Sequence, residues 1–320
     1  MRGGDMNDRA RGMAASVKQR LLNIAHERDE EFEQVLVRFV AERFLYRLSR
    51  SEHGDAFLLK GAMLFVAWEG MPHRVTRDVD LLGFGDPSLA RIEAVMREIA
   101  KTPVDDDGVR FDVDGVRTEE IRATGSYHGV RVSMLALLGK ARVRLQVDVG
   151  FGDAVTPGPE AVEFPSLLGH PATVLRAYPV ETVVAEKSLA MVERGTSTTR
   201  MKDFFDLLHL ARTRTFRGAA LVAAISDTAA RRGIDITPGP ITCLSPEFAF
   251  DPAKQAQWLA FCRRLRRDPA TEPLEAVIAS LAAFLGPILG AVAAKARGSG
   301  RWPPGGPWTR DESDGGIETR

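Results

Sequence analysis

Asp78-Val79-Asp80-Leu81-Leu82 sets two carboxylates one residue apart among aliphatic side chains. In an extended strand alternate side chains face the same way. Asp78 and Asp80 then project together, while Val79 and Leu81 point to the other face. Two carboxylates a strand period apart repel one another unless a cation lies between them. Mg²⁺ takes carboxylate and phosphate oxygens, so an Asp-X-Asp on a strand is a natural perch for it. Asp148 is a third acid of this kind, flanked by Val147 and Val149 on a second strand pattern. Antiparallel pairing of the two strands would bring it beside the first two. Three acids on the polar face of neighbouring strands suit two-ion phosphoryl transfer, in which the ions activate an attacking hydroxyl and stabilise a leaving pyrophosphate. An ordinary solvent-facing carboxylate is the alternative at each position.

Three further groups could serve the same chemistry. Lys60-Gly61 closes an apolar run ahead of the two aspartates. Glycine entering a helix lets the backbone approach a phosphate, and the N–H groups there favour anions. Lys60 would add a point charge, or be a solvated lysine beside a helix-entry glycine. Lys187 follows Glu186 on a helical segment and could reach a triphosphate. Asp203 and Asp206 stand at i and i+3 on one helix face, either joining the site or forming salt bridges with solvent around them. His209 reads as structural, and with no second His or Cys at ligand spacing no zinc site is expected.

The elements that must hold these residues follow from periodicity. Helical spacing covers 16–26, 30–48, 61–68 and 88–101, with Ala56 to Leu59 a short strand or helix entry and Arg77 to Phe84 a strand. Val109–Val113, Thr118–Ile121, Val130–Leu137 and Arg142–Val149 alternate as strands, and the turn signals between most of them predict an antiparallel meander. Residues 154–172 are rich in Pro and Gly and predict a boundary. Beyond Pro179 the chain reads as helices over 180–193, 202–212, 219–231, 252–267 and 275–294. The expected organisation is a flexible N-terminus over 1–14, a mixed α/β core with a helical leader over 15–172, a helical part over 173–296 and a disordered tail over 297–320.

Composition narrows the class. The chain has 320 residues, 44% hydrophobic and 27% charged, with formal net charge zero. That is the profile of a globular protein and excludes a uniformly basic nucleic-acid coat. Two cysteines, Cys243 and Cys262, form no CxxC pair, which points to a reducing cytoplasm. No apolar run of membrane-spanning length is evident, and the polar N-terminus has no signal-peptide core, so no membrane association is expected.

"LLKGAMLF", "RVTRDVDLL", "VDVGFGD", "AEKSLAMVERG" and "RMKDFFDLLHL", in this order, resemble the AbiEii nucleotidyltransferase family. That family includes the MenT-type toxins and falls in the DNA-polymerase-β-like nucleotidyltransferase superfamily. The helical leader is similar to the family's start as well, so the resemblance spans roughly residues 15–290. It implies an α+β fold: a small mixed-sheet nucleotidyltransferase core, a helical leader and an all-helical C-terminal part. It also implies a toxin with a cognate antitoxin, an NTP substrate, Mg²⁺ or Mn²⁺, and a tRNA 3′ end as acceptor. A protein hydroxyl or a small molecule as acceptor, or a module that binds nucleotide or antitoxin without catalysis, is the alternative.

By the same resemblance Asp78, Asp80 and Asp148 are the metal carboxylates, Lys60, Gly61 and Lys187 hold the nucleotide, and Asp203 and Asp206 are the acids of the last motif. Thr76, which the resemblance also places among the nucleotide-binding residues, matches a hydroxyl that can be phosphorylated in some members to silence them. Two departures concern the grip on the nucleotide: Gly61-Ala62-Met63 stands where the superfamily favours Gly-Gly or Gly-Ser, and the gap to Asp78 is long. An RNA acceptor fits the charge distribution, since Lys187 to Arg267 carries 14 basic residues against 7 acidic ones. A solvated helix face is the other reading of those arginines.

Overall fold

The computed structural model describes residues 3–74, 76–122 and 128–310. The chain divides into two compact units, the first of residues 1–153 and 159–178, the second of 154–158 and 179–320.

The first unit opens with α1 (Gly3–Glu27) and α2 (Phe32–Arg50), continues through β1 (Phe57–Lys60), α3 (Met63–Glu69), β2 (Asp78–Gly83) and α4 (Leu89–Lys101), and reaches the meander β3 (Val109–Arg122), β4 (His128–Leu138) and β5 (Ala141–Phe151). β6 (Glu160–Phe164) and β7 (Thr173–Ala177) complete it. All seven strands form one sheet, in the order β3-β4-β5-β2-β1-β7-β6. α2 packs on β5 and β7, and α4 on β3 and β4. Ile92, Val95, Met96 and Ile99 of α4 are buried at i, i+3, i+4 and i+7, the stripe that a helix lying on a sheet requires.

Four features differ from the sequence reading. β2 and β5 are parallel, not antiparallel. The α4 crossover returns β3 in the direction of β2, and two hairpins reverse that direction twice, so β5 runs with β2. The two expected strands within 109–121 are one strand, with a register shift between Asp112 and Arg117. β6 and β7 occupy much of the expected Pro/Gly boundary and its edge; buried and exposed residues alternate along both, and the first unit runs to Tyr178. α1 begins at Gly3, inside the segment expected to be flexible.

The second unit holds α5 (Val180–Arg194), α6 (Met201–Thr213), β8 (Phe216–Arg217), α7 (Gly218–Arg232), α8 (Pro246–Phe250), α9 (Pro252–Arg264), α10 (Leu274–Ala293) and β9 (Arg301–Trp302). Asp251 starts α9 sharply, its side chain accepting from the N–H groups of Ala253 and Lys254 ahead of Pro252 at the first turn. The segment read as a disordered tail is ordered through residue 310; 311–320 lie outside the described residues. Composition misleads here because two tryptophans anchor the segment. Trp302 is buried and donates from Nε1 to the Ala211 carbonyl at 2.7 Å, and Trp308 donates to the Phe284 carbonyl at 2.9 Å. α10 also corrects the reading that no run was long and apolar enough to cross a membrane. It is long and apolar enough, and its Leu274, Val277, Ile278, Leu281, Phe284, Leu285, Ile288 and Leu289 are buried within the unit. Both cysteines are buried, and burial pushes the Cys243 thiol up to about 11, so it is a packing residue and not a nucleophile.

One buried ionic knot ties the first unit together. Asp107 accepts from Arg43 Nε at 2.7 Å and from Arg47 Nη1 and Nη2 at 2.7 and 3.1 Å. Arg47 also donates to the Val109 carbonyl at 3.0 Å, so α2 is fastened to the start of β3. Burial would raise the Asp107 carboxyl, but the two arginines outweigh it and hold the group below the usual range. Removing one partner strands buried charge. Asp107→Ala is expected to cost about 3–5 kcal/mol in urea unfolding, far above the roughly 1 kcal/mol of a surface pair.

Candidate active site

Strand pairing assembles a row of ionisable side chains across five strands. Lys60 of β1 stands opposite Asp80 of β2, Asp80 opposite Asp148 of β5, Asp148 opposite Arg131 of β4, and Arg131 opposite Glu119 of β3. Directly paired residues share a face, so all five project to one side of the sheet. Val79 and Leu81, with Val147 and Val149, are fully buried on the other. Asp78 is one step along, opposite Gln146. The two strands carrying the predicted acids are therefore neighbours in register, and Asp80 and Asp148 stand side by side.

A basic residue stands on each side of this acidic pair in the row. Arg131 grips Asp148 side-on, Nε to Oδ1 at 2.9 Å and Nη2 to Oδ2 at 2.8 Å, and Gln146 Nε2 lies 3.3 and 3.4 Å from the same two oxygens. Hydrogen bonding to Asp148 raises the Arg131 pKa and keeps the guanidinium charged. On the other side, Lys60 Nζ donates to Asp153 Oδ2 at 2.7 Å, and the Tyr178 hydroxyl donates to the same oxygen at 2.6 Å. Lys60 Nζ also lies 5.7 Å from the Tyr178 ring centre. The Asp153 side chain is only 3% exposed, so this is a sheltered ion pair that fixes where the lysine sits.

Gly61 has φ +71 in the turn two residues before α3, which starts at Met63 rather than at the glycine. A Cβ there would fall on the Asp80 carboxylate, 2.6 Å from its Cγ. The glycine is thus required by its left-handed backbone and by the close approach of Asp80. Thr76 is half-buried, with Oγ1 3.5 Å from the Asp78 carbonyl. Sequence reasoning passed over Arg131, Asp153 and Tyr178. Asp153 closes the quoted VDVGFGD and was within reach. Arg131 carried no local signal, because its place depends on the β4–β5 register.

Lys187, Asp203 and Asp206 form a separate cluster in the second unit. Lys187 Nζ of α5 donates to Asp203 Oδ1 at 3.1 Å and to Asp206 Oδ2 at 2.7 Å, both on α6. Arg200 Nε pairs with Asp203 Oδ2. Both carboxylates are 0% exposed, so the cluster is no solvated helix face. Burial would raise the Asp203 carboxyl, but the Lys187 charge and then Arg200 overcome this and hold it below the usual range.

A carboxyl whose folded pKa is depressed stabilises fully above its unfolded pKa and loses that contribution as pH falls through the folded value. Asp203→Asn is expected to cost about 3–5 kcal/mol near neutral pH. Urea titrations of wild type and variant should differ by a constant amount above about pH 5 and draw together progressively as pH falls below about 4 toward the depressed folded value.

The family model described as "Nucleotidyl transferase AbiEii toxin, Type IV TA system" matches residues 43–280, which include every acid and lysine above. A search of curated proteins returned no match. Among solved structures, the chain is similar to a candidate nucleotidyltransferase from H. pylori, at 15% identity and TM-score 0.44 over 83% of this chain and 95% of that one. It is similar as well to JHP933 from Helicobacter pylori, at 16% identity and TM-score 0.42 over 79% and 88%. With the family model covering most of the chain, the protein belongs to the AbiEii nucleotidyltransferase toxins of type IV toxin–antitoxin systems.

Proposed function

We propose that the protein transfers NMP from an NTP to the 3′ end of a tRNA, releasing pyrophosphate, with a divalent cation held by Asp78, Asp80 and Asp148. The observation that carries this reading is the in-register pair Asp80–Asp148 beside Lys60. The donor set is wholly carboxylate oxygen, which suits Mg²⁺ or Mn²⁺ and not zinc. The acids are half-buried rather than sealed, so ligands can reach them. The bound cation supplies charge that stabilises the reacting phosphates.

The chain's own groups hold and orient. Lys60, fixed by Asp153 and Tyr178, neutralises a phosphate oxygen of the triphosphate. Gly61 leaves room for the Asp80 carboxylate. Lys187, fixed by Asp203 and Asp206 in the second unit, takes the phosphate-holding role that the family resemblance gives it. The acceptor hydroxyl oxygen bonds to the α-phosphorus, the bond to the β-phosphate bridge breaks, pyrophosphate leaves with the electron pair, and the hydroxyl proton passes to solvent. Such a site works by positioning and charge stabilisation. Arg263, Arg264, Arg266 and Arg267 are exposed at the end of α9, which suits an RNA backbone read by shape. The cognate antitoxin is the protein partner, and the cytoplasm, where tRNA is found, is the proposed site of action.

Purified protein incubated with total tRNA, Mg²⁺ and each α-³²P-labelled NTP in turn should label tRNA with at least one nucleotide, and Asp80→Ala should label none. Folded wild type that labels no tRNA but labels protein or a small molecule would replace the acceptor. Label from Asp80→Ala at the wild-type rate would sink the assignment of the carboxylates. Asp153→Asn should raise the NTP KM about tenfold with a smaller change in kcat, as expected when a ground-state phosphate contact is loosened.

A further inference from the structure

Asp80 and Asp148 are directly opposed like charges on neighbouring strands, an arrangement that destabilises a sheet unless something offsets it. Arg131 reaches Asp148 from the opposite flank. Its grip uses both carboxylate oxygens, so a single planar guanidinium sets the orientation of the whole group. The position is dictated by register, because Arg131 and Asp148 are direct partners across β4 and β5. Glu119 stands opposite Arg131 on β3, so the guanidinium lies between two acids in the row.

The pair does not earn its place as core glue. The side chains are 36% and 19% exposed, and ion pairs so placed contribute little to folding. Its value must be sought in what it does to Asp148.

We propose that Arg131 is a positioning residue that holds the Asp148 carboxylate in register beside Asp80 and acts as a resident cation, which a divalent ion arriving at Asp80 and Asp148 must electrostatically tolerate. This rests on the reading of Asp78, Asp80 and Asp148 as cation ligands. Two consequences separate the charge of Arg131 from its shape. Removing the charge leaves the acids more negative and binds a divalent ion more tightly. Keeping the charge but losing the planar fork brings no gain in ion binding and lets Asp148 wander, which lowers kcat.

The test is a Mn²⁺ titration of the nucleotide-free full chain, followed by the electron paramagnetic resonance of unbound Mn²⁺, on wild type, Arg131→Gln, Arg131→Lys, Asp148→Asn and the Arg131→Gln/Asp148→Asn double variant. Arg131→Gln should bind Mn²⁺ at least about threefold tighter than wild type, and this gain should vanish in the Asp148→Asn background. Arg131→Lys should bind Mn²⁺ no more tightly than wild type does while its kcat for transfer falls, with the NTP KM unchanged. Unchanged or weaker Mn²⁺ binding by Arg131→Gln, or a gain that persists without Asp148, overturns the proposal and leaves the cation site standing. Wild type that binds no Mn²⁺, or binds it equally well as Asp148→Asn, overturns the cation reading itself and this inference with it. Should Arg131→Gln fail to fold by circular dichroism, Arg131→Met carries the same comparison.

Discussion

Two carboxylates held side by side on neighbouring strands are the constraint around which the first unit is organised. The parallel pairing of β2 with β5 puts Asp80 opposite Asp148, and no rotation of the backbone can separate them without breaking the ladder. The pairing is held from the other face, where Val79, Leu81, Val147 and Val149 are fully buried. A one-residue slip of β2 would send Val79 and Leu81 to the acids' side and Asp78 and Asp80 into the core, so apolar burial enforces the register of the polar face. The neighbouring groups then follow. Lys60 and Arg131 flank the pair with positive charge, and Gly61 gives up its side chain because the Asp80 carboxylate occupies that space.

The two acidic clusters solve different problems with similar parts. In the first unit Asp80 and Asp148 are half-buried, with Lys60 and Arg131 opposite them on the adjacent strands. In the second unit Asp203 and Asp206 have no exposure at all and share Lys187, while Arg200 covers Asp203. Removing two carboxylates from water is costly, and it is tolerated because each oxygen named above meets a donor. That cluster fixes an amine at one point between two helices. Asp153 does the same for Lys60 in the first unit with a single buried acid and a tyrosine hydroxyl.

Away from the acids, the fold is secured by features that carry no catalytic signal. The Asp107 knot fastens α2 to β3, and Glu42 of α2 accepts from the Ser166 hydroxyl and the Leu167 N–H, both at 2.8 Å, between β6 and β7. Burial raises the Glu42 carboxyl in spite of those two bonds. Helix α2 thus reaches both ends of the sheet order through charged side chains, which explains why a helix that reads as simply amphipathic buries Glu42, Arg43 and Arg47.

The sequence by itself determined the local elements and the residue types at the site. Period-2 alternation gave β2, the meander and the facing of Asp78, Asp80 and Asp148; period-3.6 spacing gave α4, α5, α6, α7, α9 and α10 to within a few residues. Those signals are local, because a side chain's face is set by its neighbours in the chain. What only the tertiary structure decided is non-local. The direction of β5 against β2 depends on a crossover and two hairpins, so an antiparallel reading was as available as the parallel one. β6, β7 and the ordered segment to residue 310 are short or Pro/Gly-rich, and they are structured through partners distant in sequence. Arg131 became a neighbour of Asp148, and Asp107 a buried counter-ion, for the same reason: strand pairing and helix docking bring together charges that nothing in the spacing connects.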